Sequence, residues 1–243
     1  MASSAATALA SVPADRRTSH LRAILAARFP GAQPLPEGPQ PTLATGVPAL
    51  DGILPNGGLP RGRVSVWAAR SGGVTALLRA SCDHLMSRGE RVAWIDGRRT
   101  LGPAWADGPT VVRPDNDALA LRAAEILVRS GGFPLVILTG VDPEPREMLR
   151  LSRMAHEGQG AFVALTERTL SATLRIRSRY LPGRFQWAQG PFGEPARIDS
   201  VALEIRAPPR GGPRTAILPL EVASHELRLS LDPTLADRRG QLD

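Results

Sequence analysis

Between Arg63 and Leu165 the chain alternates strand-sized apolar runs with amphipathic helical segments, a pattern that leaves few architectures open. Arg63 to Trp67 reads as a short strand, followed by a loop from Ala68 to Gly73. A helix is expected from Val74 to Arg88, because Val74, Leu77, Leu78, Cys82, Leu85 and Met86 share one face and Gly89 supplies the stop. Val92 to Asp96 reads as a buried strand and Thr110 to Val112 as a shorter one. Asp115 or Asp117 is placed to cap a helix running to Arg129, with Leu119, Ala123, Ile126 and Leu127 turned inward. Pro134 to Leu138 is an apolar run of the kind buried on both faces of a sheet. Pro143 suits the first position of a helix covering Glu144 to Ala155, and Ala161 to Leu165 gives a further strand.

Past that point the period changes to two. Leu174, Ile176 and Ser178 alternate with Arg175, Arg177 and Arg179, and Val201, Leu203 and Ile205 alternate with their neighbours. Pro208 to Pro213 reads as a turn, with Thr215 to Leu220 and Glu226 to Leu229 as strands after it. A βαβ half followed by a strand-rich half predicts an α/β domain with a mixed, mostly parallel central sheet flanked by helices.

In front of this core, residues 1–13 read as disordered and residues 14–29 as a helix with Leu21, Ile24, Leu25 and Phe29 on one stripe. Five prolines between Pro30 and Pro41 mark residues 30–42 as an extended linker. The core is expected over residues 43–231, with a loose tail at 232–243. No apolar run reaches the length of a membrane span, and the Ala- and Ser-rich start lacks the basic opening of a secretion signal. With one cysteine, Cys82, no intrachain disulfide forms, so a cytoplasmic, reducing setting is expected.

All 30 basic residues are arginines and the formal net charge is +7. The basic balance is consistent with nucleic acid or an acidic protein surface as a partner, and equally with a genome-wide arginine bias. The absence of lysine excludes any chemistry that needs an ε-ammonium group. His20, His84, His156 and His225 lack ligand spacing, so no metal site is expected.

The most informative stretch runs from Leu43 to Asp96. It holds Thr45-Gly46-Val47-Pro48-Ala49-Leu50-Asp51, then Gly57-Gly58-Leu59-Pro60-Arg61-Gly62-Arg63, a strand, a glycine-containing loop, a helix and Trp94-Ile95-Asp96. In order and spacing it resembles the core of the RecA recombinase family, so the resemblance implies a RecA-like fold. The N-terminal helix and linker also resemble that family's polymerisation helix.

The nucleotide loop of such proteins reads Gly-x-x-x-x-Gly-Lys-Ser/Thr, and its backbone amides and lysine hold the phosphates. The matching positions here begin at Ala68 and end with Gly73, Val74 and Thr75, so an apolar side chain stands where the lysine belongs. The resemblance places a water-activating glutamate two residues after Asp96, where this chain has Arg98. The metal-orienting acid should close the strand ending Val136-Ile137-Leu138, and Thr139 stands there instead, with Asp142 three residues later. The family's phosphate-reporting glutamine would fall near Thr166 and Glu167. The expected reading is a degenerate site with no catalytic residue, no nucleotide cofactor and no metal.

A short RecA-like core with a degenerate loop resembles the ImuA family, RecA-like accessory proteins of bacterial mutagenesis related to the SulA-type division inhibitors; residues 45–63 carry that likeness. What it implies is a non-catalytic adaptor in the SOS DNA-damage response that binds RecA, ImuB and an error-prone replicative-type DNA polymerase during translesion synthesis. A SulA-type division inhibitor and a RecA-family ATPase with a noncanonical site are the alternatives. Two surfaces suit partners. Leu21, Ile24, Leu25 and Phe29 would dock on RecA or on a second copy, or fold back on their own core. Arg168, Arg175, Arg177, Arg179 and Arg184, near Tyr180, Phe185 and Trp187, would bind single-stranded DNA through phosphate contacts and stacking, or form a solvated arginine face over core aromatics.

Overall fold

Parallel strands joined by covering helices must lie in a buried sheet, and a computed structural model of the chain shows that arrangement. The structure describes residues 41–69, 73–102, 105, 107–168, 172–207 and 214–221. The expectations for residues 1–40, the turn at 208–213, the strand at 226–229 and the tail at 232–243 lie outside the described residues, including Leu21, Ile24, Leu25 and Phe29. Among the described residues no helix is long and apolar enough to cross a membrane.

A two-stranded antiparallel brace comes first: β1 (Thr42–Leu43) pairs with β2 (Leu59–Pro60). Thr42, read as the end of the linker, is therefore already part of the fold. Between them lie the short helix α1 (Pro48–Ile53) and a 3-10 turn (Pro55–Gly57). The main sheet is built from β3 (Arg63–Ala69), β4 (Val92–Asp96), β5 (Thr110–Val112), β6 (Leu135–Thr139), β7 (Ala161–Leu165), β8 (Leu174–Gln189), β9 (Pro195–Ala207) and β10 (Arg214–Glu221). Its order is β10-β9-β8-β3-β7-β6-β4-β5; the pairs from β8 through β5 are parallel, and β9 and β10 extend the β8 edge antiparallel.

The helices divide between the two faces. α2 (Val74–Ser87) and α1 cover one face over Trp67, Trp94, Ile137, Val163, Ile176 and Leu203. α3 (Asp117–Arg129) and α4 (Pro145–Gly158) cover the other over Val64, Val66, Ile95, Val136, Leu138 and Phe162. The alternation seen at 174–178 holds in space: Leu174, Ile176 and Ser178 are buried, and Arg175, Arg177 and Arg179 are exposed on the α3–α4 side. Trp67 is sealed into the α2 side, where its Nε1 donates to Ser178 Oγ at 3.1 Å and ties β3 to β8.

Four local expectations are corrected. On α3 the inward residues are Ala120, Leu121, Ala124 and Val128, whereas Leu119 and Ile126 are 50% and 57% exposed. Almost every face of this helix is apolar, so periodicity alone admitted two stripes one residue apart. The stripe with two alanines lets α3 approach both the sheet and α4, where Arg150 reaches Glu125 at 2.6 Å. Its cap is Asn116, whose side chain accepts the Leu119 amide at 2.9 Å, while Asp115 instead pairs with Arg99. α4 starts at Pro145 rather than Pro143, because Glu147 reaches back 2.7 Å to the Glu144 amide and fixes the cap there. Finally, β3 runs on to Ala69, so Ala68 is a strand residue paired with Arg177 rather than the start of a loop.

β8 and β9 also extend far past the predicted 174–178 and 201–205 segments. Only Leu174–Ser178 of β8 pairs with β3, and only Ser200–Ala207 of β9 pairs with β10. Arg179, Tyr180, Phe185 and Gln186 pair with the part of β9 that also joins β10, and only Trp187–Gln189 with Pro195–Ile198 form a two-stranded ribbon, joined by the turn around Pro191–Gly193.

Candidate functional site

Open sheets of this kind bind ligands at the carboxyl ends of their strands, where the chain changes direction along the sheet. That point is the end of β3: the chain leaves it for β4 on one side, and β8 later adds on the other. Residues that approach it come from the β3–α2 connection and from the ends of β4, β6 and β7.

The Thr45–Arg63 motif in front of β3 is mechanical. Asp51, on α1, accepts the Thr45 amide and the Thr45 hydroxyl at 2.8 Å each through Oδ1, and the Gly46 amide at 3.2 Å through Oδ2. The Thr45 hydroxyl in turn accepts the Val47 amide at 3.2 Å. This clamp holds the entry segment against α1. Gly58 is needed where β2 passes β1, since a Cβ there would sit 2.4 Å from the Leu43 carbonyl oxygen. The Gly62 amide donates to Gly160 O at 2.8 Å and sets the height at which β3 enters beside β7.

At the nucleotide-loop position, Gly73 precedes α2 with φ 91°, a left-handed conformation that a side chain would strain. A Cβ on it would also meet Leu220 Cδ1 at 2.5 Å and the Tyr180 hydroxyl at 3.3 Å. Val74, at the position matching the lysine, is 2% exposed and belongs to the core with Leu77, Leu78, Trp67 and Ile176. Thr75 is exposed on the first turn of α2.

The other matched positions are occupied by structural bonds. Asp96 is fully buried and its carboxylate accepts the Thr100 and Leu101 amides at 3.0 and 2.9 Å, so it caps the turn after β4. Arg98 is exposed and its Nε donates to Gly140 O at 2.8 Å. Thr139 accepts Trp94 Nε1 at 3.0 Å and donates to Ile95 O at 3.2 Å, so its one hydroxyl proton is already used within the sheet. The structure does bring Asp142, read as too late in the strand, back to the sheet edge, where the Thr166 hydroxyl donates to it. That hydroxyl also accepts the Arg168 amide at 3.1 Å.

A cleft of about 480 Å³ opens on the α3–α4 side of β8 and β9, beside Val66 and Ala68 of β3. Arg168, Arg175, Arg177, Arg179 and Arg206 line it, against two acids, Glu167 and Glu204. Of the arginines singled out from the sequence, four therefore come together; Arg184 is not in the lining and falls in the irregular stretch of β8 between Tyr180 and Phe185. Arg206, from β9, was missed because only the apolar alternation of that strand was read. Glu204 is buried between Arg179 Nε at 2.6 Å and Arg206 at 3.0 Å. The hydrogen bonds from Arg179 and then Arg206 hold its carboxyl below the usual carboxylate range. Arg168 pairs with Glu144 at 2.6 Å, which raises its already high pKa.

The aromatic residues do not share this cleft. Tyr180 and Phe185 stand opposite Leu203 and Val201 in the β8–β9 register, on the face away from Glu204, and Trp187 continues that side of the ribbon opposite Ile198. Trp187 is 53% exposed and Phe185 is exposed as well, so neither is the core aromatic that a solvated arginine face would imply. The sheet thus places the arginines and the ribbon aromatics on opposite faces.

A mostly parallel sheet covered on both sides, with a strand–loop–helix unit at its switch point, defines an α/β protein of the nucleotide-loop class. The profile of the RecA N-terminal domain matches residues 38–178, more than half of the chain, and the chain belongs to the RecA family. It is 32% identical over 148 residues to Protein RecA of Streptomyces avermitilis, covering 58% of this chain and 38% of that protein. Protein RecA of Bifidobacterium longum is also 32% identical over 148 residues, covering 58% of this chain and 36% of the relative. Protein RecA of Frankia casuarinae is 31% identical over 145 residues, 56% of this chain and 41% of the relative. The chain thus spans well under half the length of these relatives. The profile match stops at Ser178, so Arg179, Glu204 and Arg206 of the cleft lie beyond it.

Proposed function

We propose that this chain is a RecA-like adaptor that performs no nucleotide chemistry and acts in the DNA-damage response by binding other proteins. The observation that supports this reading most is Val74. A phosphate-binding lysine must reach toward the ligand, whereas the residue at its position points into the hydrophobic core. Arg98 cannot accept a proton, and the Thr139 hydroxyl is committed to Trp94 and Ile95. Losing phosphate grip, base and metal acid together removes groups worth several kcal/mol each to a transition state, roughly 3 kcal/mol apiece.

The likeness of residues 45–63 to the ImuA family supports RecA, ImuB and an error-prone replicative-type polymerase as partners, and translesion synthesis as the setting. The test is interferometry with the full chain immobilised and purified RecA in solution, with and without single-stranded DNA, repeated with ImuB. Saturable binding that is unchanged by Mg·ATP supports the adaptor. No binding to either, together with capture of the tubulin-like division protein, would move the protein to the SulA-type class.

A further inference from the structure

The arginine cleft holds more positive charge than its own acids answer: five arginines line it against Glu167 and Glu204. Arg175, Arg177 and Arg179 stand on one face of β8 at every second residue, so their origins are about 6.7 Å apart. Arg206 lies directly opposite Arg177 in the strand register, a like-charge pairing that destabilises a sheet unless an anion lies between. Arg177 itself has no carboxylate partner among the described residues. The kind of anion that these side chains take is visible inside the cleft. The Glu204 carboxylate lies between Arg179 and Arg206, and Arg168 holds Glu144.

What borders the charges narrows the choice of ligand. Neighbouring strands place Arg179, Glu204 and Ile217 side by side on one face, with Pro219 two residues further along β10. Ile217 is 49% exposed, and Val66 and Ala68 lie on the β3 side, so aliphatic margins flank the row. No aromatic side chain is among the described lining residues, and Phe185 and Trp187 lie on the other face. The base stacking that holds single nucleic-acid strands is therefore missing. An extended polypeptide fits what remains. Its alternate side chains repeat at the same interval of about 6.7 Å, because it and β8 are both strands. Carboxylates at those positions meet the guanidinium groups in the forked geometry that arginine favours, and apolar neighbours cover the margins.

We infer that this cleft is the docking site for an extended acidic segment of a partner protein, one with a carboxylate at every second residue. The inference rests on the adaptor reading for the existence of a protein partner. Its test uses synthetic peptides alone, so it can fail while binding to RecA or ImuB stands, and the reverse.

The experiment is fluorescence anisotropy with the full chain and two labelled peptides of one composition, glutamate and threonine in equal number. In the first the two residues alternate. In the second they come in pairs, Glu-Glu-Thr-Thr, so no face of the extended peptide carries carboxylates at neighbouring positions. The alternating peptide should bind roughly fivefold more tightly, since the paired one leaves an arginine unmatched. R175A/R177A, at two exposed positions, should weaken the alternating peptide about tenfold. R122A/R129A removes the same charge from α3, outside the cleft, and should bind as the parent does. A deoxythymidine oligomer of matched charge should displace the alternating peptide only at higher concentration than the unlabelled peptide does. Equal affinity for the two peptides, an unchanged R175A/R177A, or an equal loss in R122A/R129A would each overturn the assignment. Displacement by the oligomer at lower concentration would assign the cleft to nucleic acid instead. Thermal melts separate lost contacts from lost fold, and the comparison of the two peptides on the parent decides the matter even if R175A/R177A unfolds.

Discussion

Replacing Val74 by lysine restores the residue type of a nucleotide loop and, on this account, harms the protein instead of repairing it. Val74 is 2% exposed and packed with Leu77, Leu78, Trp67 and Ile176. The longer stem overpacks the site, at about 1–3 kcal/mol. The ammonium group must also either sit unpaired in the core or lose its proton. Deprotonating a lysine of ordinary pKa near neutral pH takes about 4 kcal/mol, from roughly three units at 1.36 kcal/mol each. The sum, on the order of 5–7 kcal/mol, is comparable to the whole stability of many domains. At about 2–4 °C per kcal/mol for a chain of this size, the melting midpoint should fall by more than about 10 °C. Val74→Ala, which only opens a small cavity, should lose about 2 kcal/mol. Because a buried lysine has a depressed folded pKa, the folded state binds fewer protons than the unfolded one, and stability rises with pH. The deficit of Val74→Lys relative to the parent should therefore shrink between pH 7 and pH 10 in calorimetric melts. A variant that melts within a few degrees of the parent, or is stabilised by Mg·ATP, would refute the placement of position 74 in the core.

Asp51→Ala strands the Thr45 and Gly46 amides and should lower stability by about 3 kcal/mol, read as a drop in the melting midpoint; a parent-like melt would show that the Thr45–Asp51 clamp is dispensable. Cys82 is fully buried and its thiol is pushed up to about 12, chiefly by burial, so a thiol reagent at pH 8 should react only as fast as the protein unfolds; labelling within minutes in native buffer would contradict the packing of α2. Glu204 has a lowered folded pKa, so its contribution is fully present above the ordinary carboxylate value of about 4.3 and is lost as pH falls through the folded value. The difference in melting midpoint between the parent and Glu204→Gln should accordingly narrow from pH 6 to below pH 4, and a constant difference would mean that the carboxylate is not paired as described.

Strong, unambiguous patterns were readable from the chain itself. Val92–Ile95, Leu135–Leu138 and Ala161–Leu165 are apolar on both faces because helices cover both sides of the sheet. α2 was legible to within a residue because its apolar face is single and Gly89 ends it. α3 was not, since its residues offer two stripes and only the approach of α4 selects the alanine one. The starts of α3 and α4 depended on which of several neighbouring caps closes a bond, a choice settled by geometry rather than by residue type. Arg175, Arg177 and Arg179 were visible as an alternating row, and that alternation already turns Tyr180 to the other face; Phe185 and Trp187 share the arginines' odd spacing and are set apart only by the extra residues between Tyr180 and Phe185, which spacing could not reveal. The ribbon has its own signal in the sequence: Gly190-Pro191-Phe192-Gly193 between alternating segments is a hairpin turn.

The proposed adaptor role requires that the connection from β3 to α2 not hold a nucleoside triphosphate. Isothermal titration of the full chain with ATP in excess magnesium measures that directly. No saturable heat at protein concentrations suited to micromolar affinity is the predicted result. A one-to-one isotherm, abolished when Gly73 or Thr75 is replaced, would contradict it.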